Sequence, residues 1–136
     1  MRSRMHPAQL PAFLQAAGIR PTRQRAALAA ILFDGAPKHM TAEQVHAAAR
    51  TRRSKVSLAT VYNALHQFTE AGLLREVLID SARVYFDTNT DAHHHFFDEA
   101  SGDLHDIPAA AVKLARLPKP LKGRKVARVD VIIRLC

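Results

Sequence analysis

The sequence predicts an α+β fold, an N-terminal winged helix-turn-helix domain followed by a small α/β dimerisation domain. Helical periodicity of apolar residues dominates the first half of the chain, and a β-hairpin pattern follows it. A polar, turn-prone stretch at Asp87–Asp91 then precedes further strand-like segments. We therefore expect a winged-helix domain at 1–87, a hinge at 88–92 and a second domain at 93–136.

Capping residues and apolar spacing predict four helices in the first domain. The expected ranges are about 7–18, 22–34, 41–50 and 57–72. Thr41 and Gln44 have the spacing of a capping box, in which each side chain satisfies a backbone N–H at the helix start. Ser57 can cap the fourth helix, which has the most regular apolar stripe: Leu58, Val61, Leu65 and Phe68. A hairpin at 75–80 and 83–87 completes the winged-helix pattern.

The second domain is predicted to contain three strands and one helix. Strands are expected near 93–97 and 104–107, a helix from Pro108 to about Leu117, and a long strand at 125–135. The last strand alternates, with an apolar face made of Ala127, Val129, Val131, Ile133 and Leu135. Such a sheet has too little core to stand alone, so we expect a homodimer.

Charge and cysteine content limit the functional classes. The formal net charge is +8, and residues 1–88 carry 12 Lys and Arg against 6 Asp and Glu, which favours a nucleic-acid partner for the first domain. Cys136 is the single cysteine, so an intrachain disulfide or a Cys-x-x-Cys zinc site is excluded. Neither a membrane-spanning run nor an export signal is apparent, and we expect a cytoplasmic protein without a membrane partner.

The fourth helix has the pattern of a DNA-reading helix. Its apolar stripe faces the core, which leaves Ser57, Thr60 and Asn63 outward and Tyr62 at the flank. The expected phosphate-binding residues are basic and lie outside this helix: Arg20, Arg23, Arg25 and Lys55. A solvated helix face beside scattered charge is the alternative, because helix-turn-helix geometry also occurs in proteins that bind no DNA.

A histidine triplet at 93–95 indicates a metal site. Strand alternation points the first and third imidazoles to one face and His94 to the other. Carboxylates at nearby turns and strands, together with one histidine before the third helix, complete the candidate ligand set: His39, Asp87, His93, His95 and Asp106. These nitrogen and oxygen donors suit Fe(II), Mn(II) or Zn(II). A polar surface strand is the alternative interpretation.

Several stretches together resemble the ferric uptake regulator family. The matching motifs are Arg-Pro-Thr-Arg-Gln-Arg at 20–25, His-Met-Thr-Ala-Glu at 39–43, Ser-Leu-Ala-Thr-Val-Tyr-Asn at 57–63, Gly-Leu at 72–73 and Phe-Asp at 86–87. The resemblance spans nearly the whole chain, and the histidine triplet looks most like that of the iron response regulator (Irr) branch. The resemblance implies a homodimeric repressor that binds a palindromic DNA operator and controls iron homeostasis genes.

The same resemblance implies roles for individual residues. The family's regulatory metal site falls on the five ligands named above, with Fe(II) or Mn(II) as the metal and Zn(II) as a further candidate. Tyr62 matches a base or backbone contact, and Arg20 and Arg23 match phosphate or minor-groove contacts. The family's cysteine pairs are absent, which removes its structural zinc site.

The sequence leaves several alternatives open. His94 is a candidate for a second metal site or for haem, and Asp106 resembles the peroxide-sensing PerR branch. Two histidines and a carboxylate also form the facial triad of small non-haem iron enzymes, although no substrate pocket or cosubstrate motif is evident. A non-specific basic DNA-coating protein is a further possibility.

Overall fold

The computed structural model describes residues 5–136, which divide into two compact units. The first unit ends at Thr90, and the second runs from Asp91 to Cys136. In the first unit, a short 3₁₀ turn leads into four helices, which are α1 (Leu10–Ala16), α2 (Arg23–Leu32), α3 (Ala42–Thr51) and α4 (Leu58–Glu70). Three short strands complete it, which are β1 (His39–Met40), β2 (Arg75–Leu78) and β3 (Val84–Asp87).

Helix boundaries in this unit follow local capping chemistry. Thr22 accepts a hydrogen bond from the backbone of Arg25, and Thr41 and Gln44 form the expected capping box at the start of α3. Gly18 follows α1 with a φ of +80°, and the backbone N–H of the next residue bonds back to Leu14. This arrangement satisfies helix carbonyls that would otherwise lack donors.

The apolar stripes of the four helices meet in one core. Its fully buried side chains are Leu14, Leu28, Leu32, Val45, Val61, Leu65 and Phe68. The strands form an antiparallel sheet in the order β1-β3-β2, which pairs His39 with Asp87 and Arg75 with the same residue from the other side. The predicted hairpin is therefore present, and β1 adds a strand too short to be seen in the sequence.

The second unit is a three-stranded sheet in the order β5-β4-β6. Its strands are β4 (His93–Asp98), β5 (Leu104–Pro108) and β6 (Ile132–Leu135). β5 is antiparallel to β4, whereas β6 is parallel to it. Burial alternates along β4, with His93, His95 and Phe97 buried. In the part of the chain that the structure describes, no helix is long and apolar enough to span a membrane.

Two predictions for the second unit are wrong. The expected helix from Pro108 to Leu117 is only a single 3₁₀ turn at Ala109–Ala111, because residues 113–117 are all exposed and even Leu114 and Leu117 are not buried within the chain. A helix this short is marginal without packing. The expected strand at 125–135 is reduced to β6, since β4 begins at His93 and offers no partner for residues before about 130. Ala127 is exposed, so the alternating face is not buried within one chain.

Candidate metal centre and nucleic-acid interface

In the first unit, strand pairing brings one imidazole beside one carboxylate. His39 Nε2 lies 3.4 Å from Asp87 Oδ2. The other oxygen of Asp87 accepts a hydrogen bond of 2.8 Å from the Asn89 backbone, which fixes the orientation of the carboxylate. Lys38 and Thr88 exchange backbone and side-chain hydrogen bonds next to this pair and tie β1 to the end of β3. The pair is thus held by the sheet rather than by a flexible loop.

In the second unit, β4 and β5 bring two imidazoles and one carboxylate together. Asp106 is the register partner of His95, and its Oδ1 lies 3.3 Å from His95 Nε2 and 3.5 Å from His93 Nε2. The two imidazole ring centroids are 4.5 Å apart. Both histidines are buried, while Asp106 is at the exposed edge of the cluster. Alternation along β4 therefore gives the predicted convergence of the first and third histidines.

Hydrogen bonding indicates which nitrogen of each histidine can bind a metal. His93 Nδ1 lies 2.6 Å from the carbonyl oxygen of Asp91, and since a carbonyl only accepts, Nδ1 must carry the hydrogen. The lone pair is then on Nε2, which faces Asp106. His94 differs, because its Nδ1 accepts the Val131 N–H and its hydrogen is therefore on Nε2. His94 lies on the opposite face of the strand, as predicted.

The donor atoms suit a divalent metal. Within the second unit, the ligand atoms of His93, His95 and Asp106 lie within 4.8 Å of one another, and those of His39 and Asp87 in the first unit do so as well. Neutral imidazole nitrogens and carboxylate oxygens are the donors that Fe(II), Mn(II) and Zn(II) accept. The carbonyl that orients His93 is the kind of outer contact usual behind metal-binding histidines.

The surface of α4 opposite its core stripe is polar. Ser57 caps this helix by accepting the Thr60 backbone N–H, and its hydroxyl lies 2.9 Å from the Thr60 hydroxyl. Asn63 is exposed one turn further along, and Thr60 is half-buried. The start of the helix therefore presents small polar groups, the type of surface that approaches base edges closely.

Two contacts next to α4 are not predicted by the sequence. Tyr62 donates a 2.7 Å hydrogen bond to Glu43 on α3, and this bond, with a smaller contribution from burial, raises the pKa of the Tyr62 phenol above 10.0. His46, which has the sequence context of an ordinary surface or boundary histidine, lies 3.0 Å from the Val56 carbonyl oxygen and holds the turn before α4. Both contacts join residues at least ten positions apart, so no local pattern reveals them.

The predicted phosphate-binding residues are on the surface of the first unit. Arg20, Arg23 and Lys55 are exposed. Arg25 is half-buried, and its guanidinium donates a 2.7 Å hydrogen bond to the Arg20 carbonyl, which fixes the turn between α1 and α2.

Comparison with known proteins agrees with this arrangement of helices and strands. The model of the ferric uptake regulator family matches residues 16–133. The chain belongs to the ferric uptake regulator family. Members of this family are transcription regulators, which removes the small non-haem iron enzyme from consideration.

Three individual proteins show how similar the chain is to its relatives. A peroxide-responsive repressor PerR from Staphylococcus epidermidis is 34% identical over 96 residues, which make up 71% of this chain and 63% of the relative. A Pseudomonas aeruginosa ferric uptake regulator with manganese has a TM-score of 0.68 at 25% identity and covers 93% of this chain and 96% of its own. A Campylobacter jejuni peroxide stress regulator shares the fold, with a TM-score of 0.60 at 23% identity and 96% coverage of each chain.

Proposed function

We propose that this chain is a metal-responsive transcription regulator that binds operator DNA as a homodimer in the cytoplasm and represses genes of iron homeostasis. One divalent metal ion, Fe(II) or Mn(II) with Zn(II) as a further candidate, would be held by residues of both units: His39, Asp87, His93, His95 and Asp106. The observation that carries the proposal is the pair of sheet-held donor groups, one in each unit of a family member.

Chain connectivity supports a single shared ion. Only residues 88–92 separate Asp87 from His93, so a short connection joins the donor group of the first unit to that of the second. An ion bound by both groups would restrict how the DNA-reading unit is oriented on the second unit. Such an ion can strengthen DNA binding only if it binds the DNA-competent arrangement more tightly than the others.

The proposed DNA-binding surface is the exposed face of α4. Ser57, Thr60 and Asn63 would contact base edges, with Tyr62 beside them against a base or the backbone. The residues that would neutralise phosphates are Arg20, Arg23 and Lys55. A homodimer presents this helix twice, which suits a palindromic operator.

A fluorescence anisotropy titration tests the proposal. The operator is first selected from random duplexes, and binding is then measured in chelator, in Mn(II) and in anaerobic Fe(II). Metal should tighten binding by roughly 5- to 150-fold, the usual range for coupled sites. His93→Ala and His95→Ala should abolish the metal response, whereas His94→Ala, on the other face of β4, should retain it. A metal response that survives in the His93 and His95 variants contradicts the proposal.

Peroxide sensing is a second candidate, favoured by the identity with a peroxide-responsive repressor. Hydrogen peroxide would deliver one oxygen atom to a ligating histidine and leave water, which would remove a metal ligand. After peroxide treatment with Fe(II), mass spectrometry should find one added oxygen either on the peptide that contains His39 or on the peptide that contains His93 and His95, and operator binding should be lost. Treatment with Mn(II) is the control. An unchanged mass with Fe(II) contradicts peroxide sensing.

We propose neither membership of the Irr branch nor haem binding for this chain. Of the three relatives, the one with the highest sequence identity is peroxide-responsive, and none of the three is described as binding haem. At His94, the hydrogen-bonded Nδ1 leaves no lone pair on Nε2 for an iron atom in the neutral ring.

A further inference from the structure

The second unit contains a run of exposed cations that the proposed function does not use. Residues 113–128, the basic segment, carry seven Lys and Arg and no Asp or Glu. Its cations are Lys113, Arg116, Lys119, Lys122, Arg124, Lys125 and Arg128. Every residue of the basic segment is exposed. We propose that the basic segment binds the phosphate backbone of duplex DNA, a contact that rests on the proposed function and adds a second DNA surface to it.

The charges of the basic segment are largely uncompensated. Arg128 forms an ion pair with Asp130, at 2.9 Å. The other six cations have no ion-pair or hydrogen-bond partner for their charged groups among residues 5–136. Clustered cations of one sign repel one another, and an external polyanion relieves this repulsion while releasing its own counterions. Two copies of the segment would repel each other, so self-association does not account for it.

The basic segment has no regular secondary structure. Residues 112–131 form no helix or strand. Within residues 113–128 one backbone hydrogen bond, from the Arg124 N–H to the Leu121 carbonyl, closes a single turn. Phosphate contacts need charge and reach rather than a fixed scaffold, and they carry no sequence information. Such a segment suits the backbone of a duplex better than its base edges.

A membrane surface fits the basic segment less well. Segments that lie on membranes are typically helices with one apolar face and one cationic face. The basic segment is not helical, and Pro118, Pro120 and Gly123 interrupt any continuous face. Its exposed leucines, such as Leu121, are interspersed with the cations. DNA is also the polyanion that the proposed function already brings to this protein.

Salt dependence of DNA binding measures the contact directly. In the full chain, Lys119, Lys122 and Lys125 are replaced together by Gln, and affinity for the selected operator and for a random-sequence duplex is measured between about 50 and 200 mM salt. The log–log salt slope should fall by about 0.9 for each lost contact. If all three contacts are lost, affinity at about 50 mM salt should fall by more than about 40-fold for both duplexes, so that the operator preference stays unchanged. Circular dichroism and the melting temperature confirm that the variant is folded.

Matched single variants distinguish a DNA contact made by the basic segment from a general effect of net charge. Lys122→Gln and Arg134→Gln each remove one positive charge from the second unit, but Arg134 pairs with Glu99 outside the segment. The inference predicts a shallower slope for Lys122→Gln only. A triple variant whose DNA affinity has an unchanged salt slope overturns the inference. A triple variant that loses binding to phosphatidylserine vesicles but keeps its DNA affinity overturns it as well. If wild type does not prefer the operator over random DNA, the proposed function fails, while the slopes on random DNA still decide this inference.

Discussion

His39 lies directly opposite Asp87 across two paired strands, with its Nε2 3.4 Å from a carboxylate oxygen whose partner oxygen is already bonded to the Asn89 N–H. The pair is formed entirely within the first unit. If it supplies ligands to the proposed ion, the metal would be anchored directly to the sheet of the unit that we propose binds DNA.

His39→Ala and Asp87→Asn should each weaken metal binding. Each removes one donor of the proposed set, and the loss should be at least the 10- to 100-fold that results from removing outer contacts of a metal site. Competition with a chromogenic chelator measures the affinity. His66→Ala is the control, because His66 lies 3.3 Å from Glu76 and outside the proposed ligand set. Equal metal affinities in the His39 and His66 variants would contradict the assignment of His39.

Ser57→Ala should reduce both stability and operator affinity. Loss of the cap on α4 costs about 1 kcal/mol in unfolding free energy, measured by urea titration. Thr41→Ala is a matched control, because Thr41 caps α3 through the same type of bond to Gln44. Both variants should lose similar stability, but only Ser57→Ala should lose operator affinity. A similar loss of affinity in both would show that capping, rather than contact with DNA, explains the effect.

The phenol of Tyr62 should titrate above its ordinary pKa of 10.0, because the ionised form would lose the hydrogen bond to Glu43 and face its charge. Since the folded-state pKa is raised, the resulting stabilisation is complete below about pH 10 and is lost as the pH rises through the folded value. Glu43→Gln should lower this pKa. Absorbance of tyrosinate in a Tyr85→Phe background reports Tyr62 alone. Identical titrations with and without Glu43 would refute the coupling.

Ile133→Glu should weaken the homodimer. Ile133 and Leu135 are 38% and 40% exposed on the edge strand β6, and their apolar face would be covered by a second copy. Burying an isoleucine contributes about 1.5–3 kcal/mol, so the dimer dissociation constant should rise at least tenfold in sedimentation equilibrium. Leu78→Glu is the control, since Leu78 is 66% exposed in the first unit. Dimers of equal strength in both variants would exclude this face.

Local signals predicted most of the first unit. Thr41 and Ser57 cap helices where the sequence indicates, because a cap depends only on residues within one turn. The sequence does not predict strand β1, because its two residues carry no periodicity and it exists only through its pairing with Phe86 and Asp87. Likewise, the contact between Tyr62 and Glu43 arises from the packing of α3 against α4, which spacing along one helix does not encode.

In the second unit, the two strands that carry histidines and carboxylates were predictable from the sequence, whereas the structure of residues 108–131 was not. Alternation along 93–97 gave the correct faces for His93, His94 and His95, because strand period is a local property. The segment at 108–117 has helix-forming residues but lacks a surface on which to pack. The strand at 125–135 has the right alternation, yet a strand extends only as far as its neighbour, and β4 begins at His93.

The most direct test of the proposed metal response is whether metal and operator strengthen each other's binding equally. Calorimetry would measure Mn(II) affinity of the protein with and without saturating operator, and anisotropy would measure operator affinity with and without Mn(II). If the bound metal favours the DNA-competent arrangement, both ratios exceed one and are equal, because coupling between two binding sites is reciprocal. A Mn(II) affinity that does not change when the operator is bound would contradict it.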